Sequence, residues 1–200
     1  MFQIFKHRCN DLSSLQNCKK HWGVEIDLRS HFNTPEDLYL SHDPWMHGES
    51  FKVWLAEFVR LGIQGPIILN TKEDGLETQI LHLLHEAGIS SFIFLDTTLP
   101  TLKKWTRDKA LHQFFVRWSS IEPLEFALAQ KNYCDWAWVD CFDRVPPDSH
   151  TLATLNENFK TCLVSPELQG GSDQELQQFI KLFKNKCTGV CTKFPELWEN

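Results

Sequence analysis

Eight short β-like runs alternate with amphipathic helical segments along the chain, and this alternation constrains the fold more than any other feature. The runs lie at 2–7, 23–28, 66–70, 91–95, 114–118, 136–141, 161–165 and 188–192. Parallel strands need long crossover connections, which helices supply, so the pattern predicts an α/β fold. Eight such repeats are typical of the (β/α)8 TIM barrel, and a doubly wound open sheet is the alternative.

Helical segments are predicted at 13–20, 50–61, 76–87, 99–109, 123–131, 150–159 and 173–185. Apolar residues at Phe51, Trp54 and Phe58 show the spacing of a helix face. Ser149 and Ser172 are the expected N-caps. The chain has 200 residues, which is short for this barrel, so the loops must be tight. Since no linker, low-complexity tract or repeat interrupts the pattern, we expect one domain over residues 1–200.

Polar side chains stand at the ends of seven successive β-like runs. They are His7, then Glu25 and Asp27, Asn70 and Lys72, Asp96, Arg117, Asp140 and Glu167, while Trp138 shares a strand face with Asp140. Active-site groups of barrels sit at the carboxyl ends of strands, so these positions predict a functional mouth. Turn capping by the two aspartates after the fourth and sixth runs, and a core role for the tryptophan, are the alternatives.

Glu25 and Asp27 form the most unusual pair in this set. They are two residues apart in an apolar run, so in a strand both carboxylates point to the same face. Two adjacent buried carboxylates repel each other and are costly to desolvate. Such a pair predicts a bound cation or substrate group, whereas ion pairs with Lys72 and Arg117 are the alternative without a metal.

An extended segment, 37–41, follows the second run and leads into His42 and Asp43. We expect it to form a hairpin-like excursion that returns His42 to the mouth. His7 and His42 would then lie across a pocket whose floor is formed by Glu25 and Asp27. Imidazoles exchange protons near neutral pH, so this arrangement favours acid–base catalysis.

Together, His7-Arg8, Glu25-x-Asp27, His42-Asp43 and a strand that leads to Lys72 resemble the glycerophosphodiester phosphodiesterase family. That family belongs to a superfamily of barrels that includes phosphatidylinositol-specific phospholipase C. The resemblance implies phosphodiester cleavage assisted by Mg²⁺ or Ca²⁺. It implies catalytic roles for His7 and His42, phosphate binding by Arg8 and Lys72, and metal binding by Glu25, Asp27 and Asn70.

The chain departs from the family pattern at two positions. Cys9 stands where the family has glycine after His-Arg, and Asn70 replaces a third acid two residues before the lysine. An asparagine oxygen can still bind a metal but brings no charge, so the affinity for the cation should fall. Asp96 or Asp140 could compensate. The second half of the chain is closer to a small, divergent branch of the superfamily.

Charge and apolar patterning exclude several classes of protein. A net charge of −6 argues against a general nucleic-acid binder. No apolar run is long enough to span a bilayer, and the first residues do not resemble a signal peptide, so we expect a cytoplasmic protein. The scattered cysteines are then buried thiols, and Cys187 with Cys191 lacks the second ligand pair of a zinc site.

The sequence therefore supports three hypotheses and leaves the oligomeric state open. The first is a metal-dependent phosphodiesterase or lyase that acts on a small or lipid-like phosphodiester. The second is a barrel that binds a phosphorylated or sugar-containing ligand without cleaving it, which the uncharged Asn70 favours. The third is an aldolase or isomerase that acts through Lys72.

Overall fold

The computed structural model describes residues 2–31 and 34–199. Strands and helices alternate through this part of the chain, as predicted. The strands are β1 (Gln3–Lys6), β2 (Gly23–His31), β3 (Thr34–Leu40), β4 (Glu49–Ser50), β5 (Ile67–Thr71), β6 (Phe92–Leu95), β7 (Phe115–Ser119), β8 (Trp136–Asp140), β9 (Lys160–Val164) and β10 (Gly189–Thr192). The helices are α1 (Leu12–Gln16), α2 (Phe51–Leu61), α3 (Glu77–Glu86), α4 (Leu99–Lys109), α5 (Leu124–Leu128), α6 (Ser149–Asn158), α7 (Asp173–Phe183) and α8 (Pro195–Glu199), with a 3₁₀ turn at Pro166–Gln169. Across the described ranges, no helix is both long and apolar enough to cross a membrane.

The chain divides into two compact units. The N-terminal unit comprises Lys6–Thr101, and the C-terminal unit combines Met1–Phe5 with Leu102–Asn200, of which 2–5 and 102–199 are described. The single domain predicted over residues 1–200 stays a prediction.

In the N-terminal unit, β5 lies between β2 and β6, and all three strands are parallel. Every residue of β5 is buried, as expected for a parallel strand that is covered on both faces. Helix α2 buries Phe51, Trp54, Leu55 and Phe58, which is the face predicted from the apolar spacing. The register pairs Asp27 of β2 with Asn70 of β5, so the second and third polar strand ends lie next to each other.

An antiparallel hairpin extends this sheet. Strand β3 pairs with β2 and places Leu40 opposite Leu28, and the short β4 pairs with β3. The excursion predicted around residues 37–41 is therefore a hairpin that starts earlier than expected, because β2 continues to His31. The Ser41 amide also donates a hydrogen bond of 3.1 Å to the Asp27 carbonyl, which holds the residue after β3 next to β2.

In the C-terminal unit, β7, β8, β9 and β10 form a parallel array in chain order. Ser172 caps α7 in a full capping box with Glu175, as predicted. The predicted cap at Ser149 is wrong, because Asp148 caps α6 by accepting a hydrogen bond from the Thr151 amide. Aspartate at this position also benefits from the positive end of the helix dipole, so it outcompetes the serine that follows it.

Candidate active site

A tight turn after β1 positions the first candidate site residues. Arg8 adopts the left-handed conformation, with φ of 51°, which costs a non-glycine residue about 1 kcal/mol. Its amide donates a 2.8 Å hydrogen bond to Oε2 of Glu25, and the Cys9 amide donates one of 2.8 Å to the Glu25 carbonyl. Trp54 of α2 donates from Nε1 to the Cys9 carbonyl at 2.8 Å. The turn is thus held against both the acid-bearing strand and the neighbouring helix.

The two acids of β2 are buried together, as the alternation along the strand predicted. Glu25 is 1% exposed and Asp27 is fully buried. Asn70 of β5 donates from Nδ2 to Oε1 of Glu25 at 3.2 Å. Asn10 makes a reciprocal pair with Asp27, because its Nδ2 donates to Oδ2 at 2.8 Å and its Oδ1 accepts from the Asp27 amide at 2.9 Å.

Three cationic or titratable side chains surround this acid pair. Lys72 places Nζ 3.0 Å from Oδ1 of Asp27, and Arg8 places Nε 3.9 Å from Oδ2 of the same residue. His7 places Nε2 3.8 Å from Oε2 of Glu25. The structure therefore brings six predicted site residues into one cluster: His7, Arg8, Glu25, Asp27, Asn70 and Lys72. It also contains the contact between Lys72 and Asp27 that was the alternative to a metal.

The environment of Glu25 changes its titration. Burial, and then the negative charge of Asp27, raise the pKa of the Glu25 carboxyl from 4.5 to about 7. The Arg8 amide, Asn70 and Lys72 act in the opposite direction. At neutral pH this carboxyl can therefore gain or lose a proton, and a bound cation can take the place of that proton.

Oxygen atoms without hydrogen-bond partners mark the place where a metal could bind. Oδ1 of Asn70 is buried and has no hydrogen-bond partner. Oδ1 of Asp27 also makes no hydrogen bond, although the Lys72 ammonium lies close to it. With Glu25, these atoms form an oxygen donor set of the kind that hard divalent cations prefer, so the residues fit such an ion. Within the described residues, no group of three or more His, Cys, Asp or Glu side chains has a metal-binding arrangement, and the oxygen donor beside the two acids is the Asn70 amide.

His42 lies at the end of the hairpin, beside a cavity of about 480 Å³. Asn10, Asp11, Ser41 and Glu49 are among the other lining residues, so the cavity reaches the residue that holds Asp27. His42 Nδ1 is 2.8 Å from Oδ1 of Asp43, and this contact lowers the pKa of the Asp43 carboxyl.

A larger cavity of about 550 Å³ adjoins the same loop and shares His47 with the first cavity. Its walls combine the ion pair of Arg29 with Glu73, at 3.5 Å, with the exposed side chains of Trp45 and Met46. Arg29 also donates from Nη2 to the His42 carbonyl at 3.0 Å. The walls of this cavity are therefore both charged and apolar, and Arg29 joins them by a hydrogen bond to His42, a candidate catalytic histidine.

The remaining predicted residues do not join this cluster. Asp96 ends β6 in the left-handed conformation, with φ of 60°. Arg117, Trp138, Asp140 and Glu167 lie in the C-terminal unit. Arg117 forms an ion pair with Asp140. Trp138 is buried and packs against Phe115 at a ring-centroid distance of 5.3 Å, which matches the core alternative.

Glu167 has a structural contact on each oxygen. Its Oε1 accepts hydrogen bonds from Thr192 Oγ1 at 2.6 Å and from the Lys193 amide at 3.0 Å, and its Oε2 accepts one from Ser165. These contacts tie the end of β9 to the end of β10. Gln169 similarly donates to Oδ1 of Asp140 at 2.8 Å.

Sequence reasoning missed Asn10 and Arg29 as site residues. Asn10 reaches Asp27 only because the turn at Arg8 folds the chain back onto β2. Its position two residues after Arg8 was the available signal, because polar residues in a loop that follows a strand of a barrel often line the site. For Arg29 the alternation along β2 gave the signal, since it places residues 25, 27 and 29 on one face.

No family model matches the chain, and no curated protein matches it by sequence. Solved structures do match. A candidate glycerophosphodiester phosphodiesterase from Galdieria sulphuraria superposes with a TM-score of 0.79 at 13% identity, covering 100% of this chain and 98% of that one. A phosphodiesterase from Oleispira antarctica, solved with its product sn-glycerol-3-phosphate, gives 0.72 at 13% identity and covers 98% and 95%.

A calcium-dependent phosphoinositol-specific phospholipase C from Pseudomonas sp. is also similar. It gives a TM-score of 0.63 at 10% identity and covers 98% of this chain and 90% of that one. These values confirm the predicted fold class along nearly the whole chain. The protein therefore has the (β/α)8 TIM-barrel fold that glycerophosphodiester phosphodiesterases and this phospholipase C share.

Proposed function

We propose that this protein cleaves a phosphodiester at the cluster built on Glu25 and Asp27, with the help of a divalent cation. The observation that carries the proposal is the buried acid pair, which lies among His7, Arg8 and Lys72. The similarity of the fold to two phosphodiesterases and a phospholipase C supports the same reaction class.

Glu25, Asp27 and Asn70 would hold the cation, either Mg²⁺ or Ca²⁺. Two of their oxygens lack hydrogen-bond partners in the protein, which is the support for this assignment. When bound, the ion would act as a Lewis acid on a phosphoryl oxygen. Because Asn70 adds no charge, we expect weaker binding than three carboxylates would give.

Arg8 and Lys72 would bind the phosphoryl group. Arg8 is half exposed, whereas Lys72 is mostly buried beside Asp27. Positive side chains next to a phosphoryl group stabilise the charge that develops on its oxygens in the transition state. The short ion pair with Asp27 fixes Lys72 in one position before substrate binds, which lowers the cost of organising the site.

His42 and His7 would move the protons. If His42 carries its proton on Nδ1, facing Asp43, its Nε2 keeps a lone pair and can accept a proton from an attacking hydroxyl group. His7 Nε2 lies 3.8 Å from Oε2 of Glu25. His7 would be the second imidazole of the site and would supply the acid for the leaving oxygen.

The substrate would be a small or lipid-like phosphodiester. Support for a lipid-like group comes from the cavity of about 550 Å³ beside the hairpin, where Trp45 is 94% exposed and Met46 is 59% exposed. These apolar side chains could cover the hydrocarbon part of an alcohol group while Arg29 and Glu73 contact its polar part. We further propose a cytoplasmic location, which the seven free cysteines support.

Replacement of each histidine tests the mechanism. In His7→Asn and His42→Asn, turnover of a glycerophosphodiester should fall at least about 100-fold, because each variant lacks an acid or a base. The matched control is His82→Asn, which changes an exposed histidine on α3 and should keep full turnover. Equal turnover in all three purified, folded variants would remove the two-histidine mechanism.

A binding module without catalysis is the second candidate, and the Lys72–Asp27 contact favours it, since an ammonium already occupies one carboxylate of the proposed metal site. Calorimetry with Mg²⁺ and Ca²⁺ separates the two. Metal binding that is lost in Glu25→Gln supports the enzyme, whereas phosphodiester binding without metal binding or turnover supports the binding module.

The ion pair of Lys72 with Asp27 also argues against an aldolase, because an ammonium held by a carboxylate offers no lone pair for a Schiff base.

A further inference from the structure

Two cysteines lie in contact beside the turn that carries Arg8. The Sγ atoms of Cys9 and Cys18 are 3.6 Å apart, and neither cysteine is in a disulfide. Cys9 is fully buried and Cys18 is half-buried just after α1. The sulfurs also approach the carbonyls of Lys6, at 3.8 Å from Cys9, and Ser14, at 3.4 Å from Cys18.

We propose that Cys9 and Cys18 are a redox-sensitive thiol pair that forms a disulfide when a peroxide oxidises it. We further propose that this disulfide lowers the rate of turnover at the proposed active site. The sulfurs are within about 1.5 Å of bonding distance, since a disulfide bond measures about 2.05 Å. Cys18 follows the end of a helix of five residues, so a small rotation there can supply the movement.

The two thiols have different roles in this step. Cys9 is fully buried, so an oxidant in solution does not reach its sulfur directly. Cys18 is the one that solvent reaches, so it meets the oxidant first. Lys6 lies beside the pair, with Nζ donating at 2.9 Å to the Ser14 carbonyl, the same carbonyl that Cys18 Sγ approaches.

The chemistry is a two-electron oxidation with a hydroperoxide as the oxidant. The Cys18 thiolate attacks the O–O bond and becomes a sulfenic acid, while the peroxide is reduced to an alcohol, or to water in the case of hydrogen peroxide. The Cys9 sulfur then attacks the sulfenic sulfur, the S–S bond forms, and the proton of Cys9 leaves with the hydroxide as water. A dithiol reverses the reaction.

Closure would reach the proposed active site through the backbone of Cys9. The residues on either side of it, Arg8 and Asn10, both donate hydrogen bonds to the acid pair. The Cys9 amide donates a hydrogen bond to the Glu25 carbonyl, and the Cys9 carbonyl accepts one from Trp54. A displacement of about 1 Å in such a turn costs large factors in rate. This part of the inference rests on the proposed function, whereas the disulfide itself does not.

Mass spectrometry of the oxidised protein tests the pair directly. Cleavage after Arg8 and Lys19 releases one peptide, 9–19, that contains both cysteines and no others. After treatment with hydrogen peroxide, this peptide should lose the mass of two hydrogen atoms and resist alkylation until dithiothreitol is added. The disulfide should also raise Tm by about 5 to 10 °C. Cys18→Ser, at a half-buried position, should show neither change.

The outcomes separate the disulfide from the proposed function. Reversible closure with at least about a tenfold loss of phosphodiester turnover supports the inference in full. Closure with unchanged turnover overturns the link to the site. If the disulfide forms but the reduced protein shows no phosphodiester turnover, the thiol pair is supported and the proposed function is rejected. Two alkylatable thiols in peptide 9–19, after the peroxide has oxidised other cysteines, overturn the thiol pair itself.

Discussion

Replacement of Glu25 by glutamine should make the metal-free protein more stable at alkaline pH and leave it unchanged at acidic pH. Burial and Asp27 raise the pKa of the Glu25 carboxyl from 4.5 to about 7. The folded protein therefore holds this proton more tightly than the unfolded chain does. As pH rises from about 4.5 through about 7, the stability contributed by this group falls, and the full penalty is present above that window.

The magnitude follows from the same two values. Each tenfold change in proton affinity is worth about 1.4 kcal/mol, so the charged form of Glu25 costs roughly 3 kcal/mol of folding free energy. Glutamine removes the charge but keeps the shape. It can accept from the Arg8 amide, and the Asn70 amide can turn so that its partnerless Oδ1 meets the new donor. The turned amide then leaves the Asn70 amino group, instead of its oxygen, without a partner, so the substitution exchanges one unpaired group of Asn70 for another.

Urea unfolding in the presence of a chelator measures this effect. At about pH 8 the Glu25→Gln variant should exceed the wild type by up to roughly 3 kcal/mol, and at about pH 5 most of that gain should be gone. Metal added at about pH 8 should stabilise the wild type more than the variant. An equal difference at the two pH values would refute the claim that the carboxyl is destabilised by its charge.

Three further predictions use the contacts described above. Asn10→Ala removes both hydrogen bonds to Asp27 and should weaken divalent-cation binding about 10- to 100-fold in calorimetry; unchanged affinity would contradict the positioning role. Lys72→Met leaves a buried carboxylate without its nearest cation and should cost about 3 kcal/mol in urea unfolding; wild-type stability would count against the ion pair. Asp148→Ala should cost about 1 kcal/mol, while Ser149→Ala should stay within about 0.5 kcal/mol, and the opposite order would restore the cap predicted from the sequence.

The strand pattern was predictable because the parallel strands here are almost entirely buried. Runs such as Ile67–Leu69 are apolar at every position and are bounded by polar or turn residues, so their limits can be read to within a residue. The hairpin was less predictable. Strand β3 carries Asp37 on an exposed position, and its pairing with β2 is set by the register. The two-residue β4 has no sequence signal of its own.

The acid pair was predictable for a local reason, whereas the contact of Asn10 with it was not. Two acids at alternate positions of one strand share a face whatever the rest of the chain does. The contact of Asn10 with Asp27 spans 17 residues and depends on the left-handed turn at Arg8, which no pattern in the sequence announces. The ion pair of Arg117 with Asp140 likewise depends on the pairing of β7 with β8, which the sequence does not specify.

Time-resolved ³¹P NMR of the wild-type protein with a glycerophosphodiester tests the central claim most directly. With Mg²⁺ or Ca²⁺, the phosphodiester signal should disappear as a phosphomonoester or cyclic phosphate signal grows, and a chelator should stop the reaction. Because the proposed site would combine phosphate-binding cations, two histidines and oxygen ligands for a metal, we predict both the product and its dependence on the ion. An unchanged phosphodiester signal with either metal, or an equal rate with the chelator present, would contradict it.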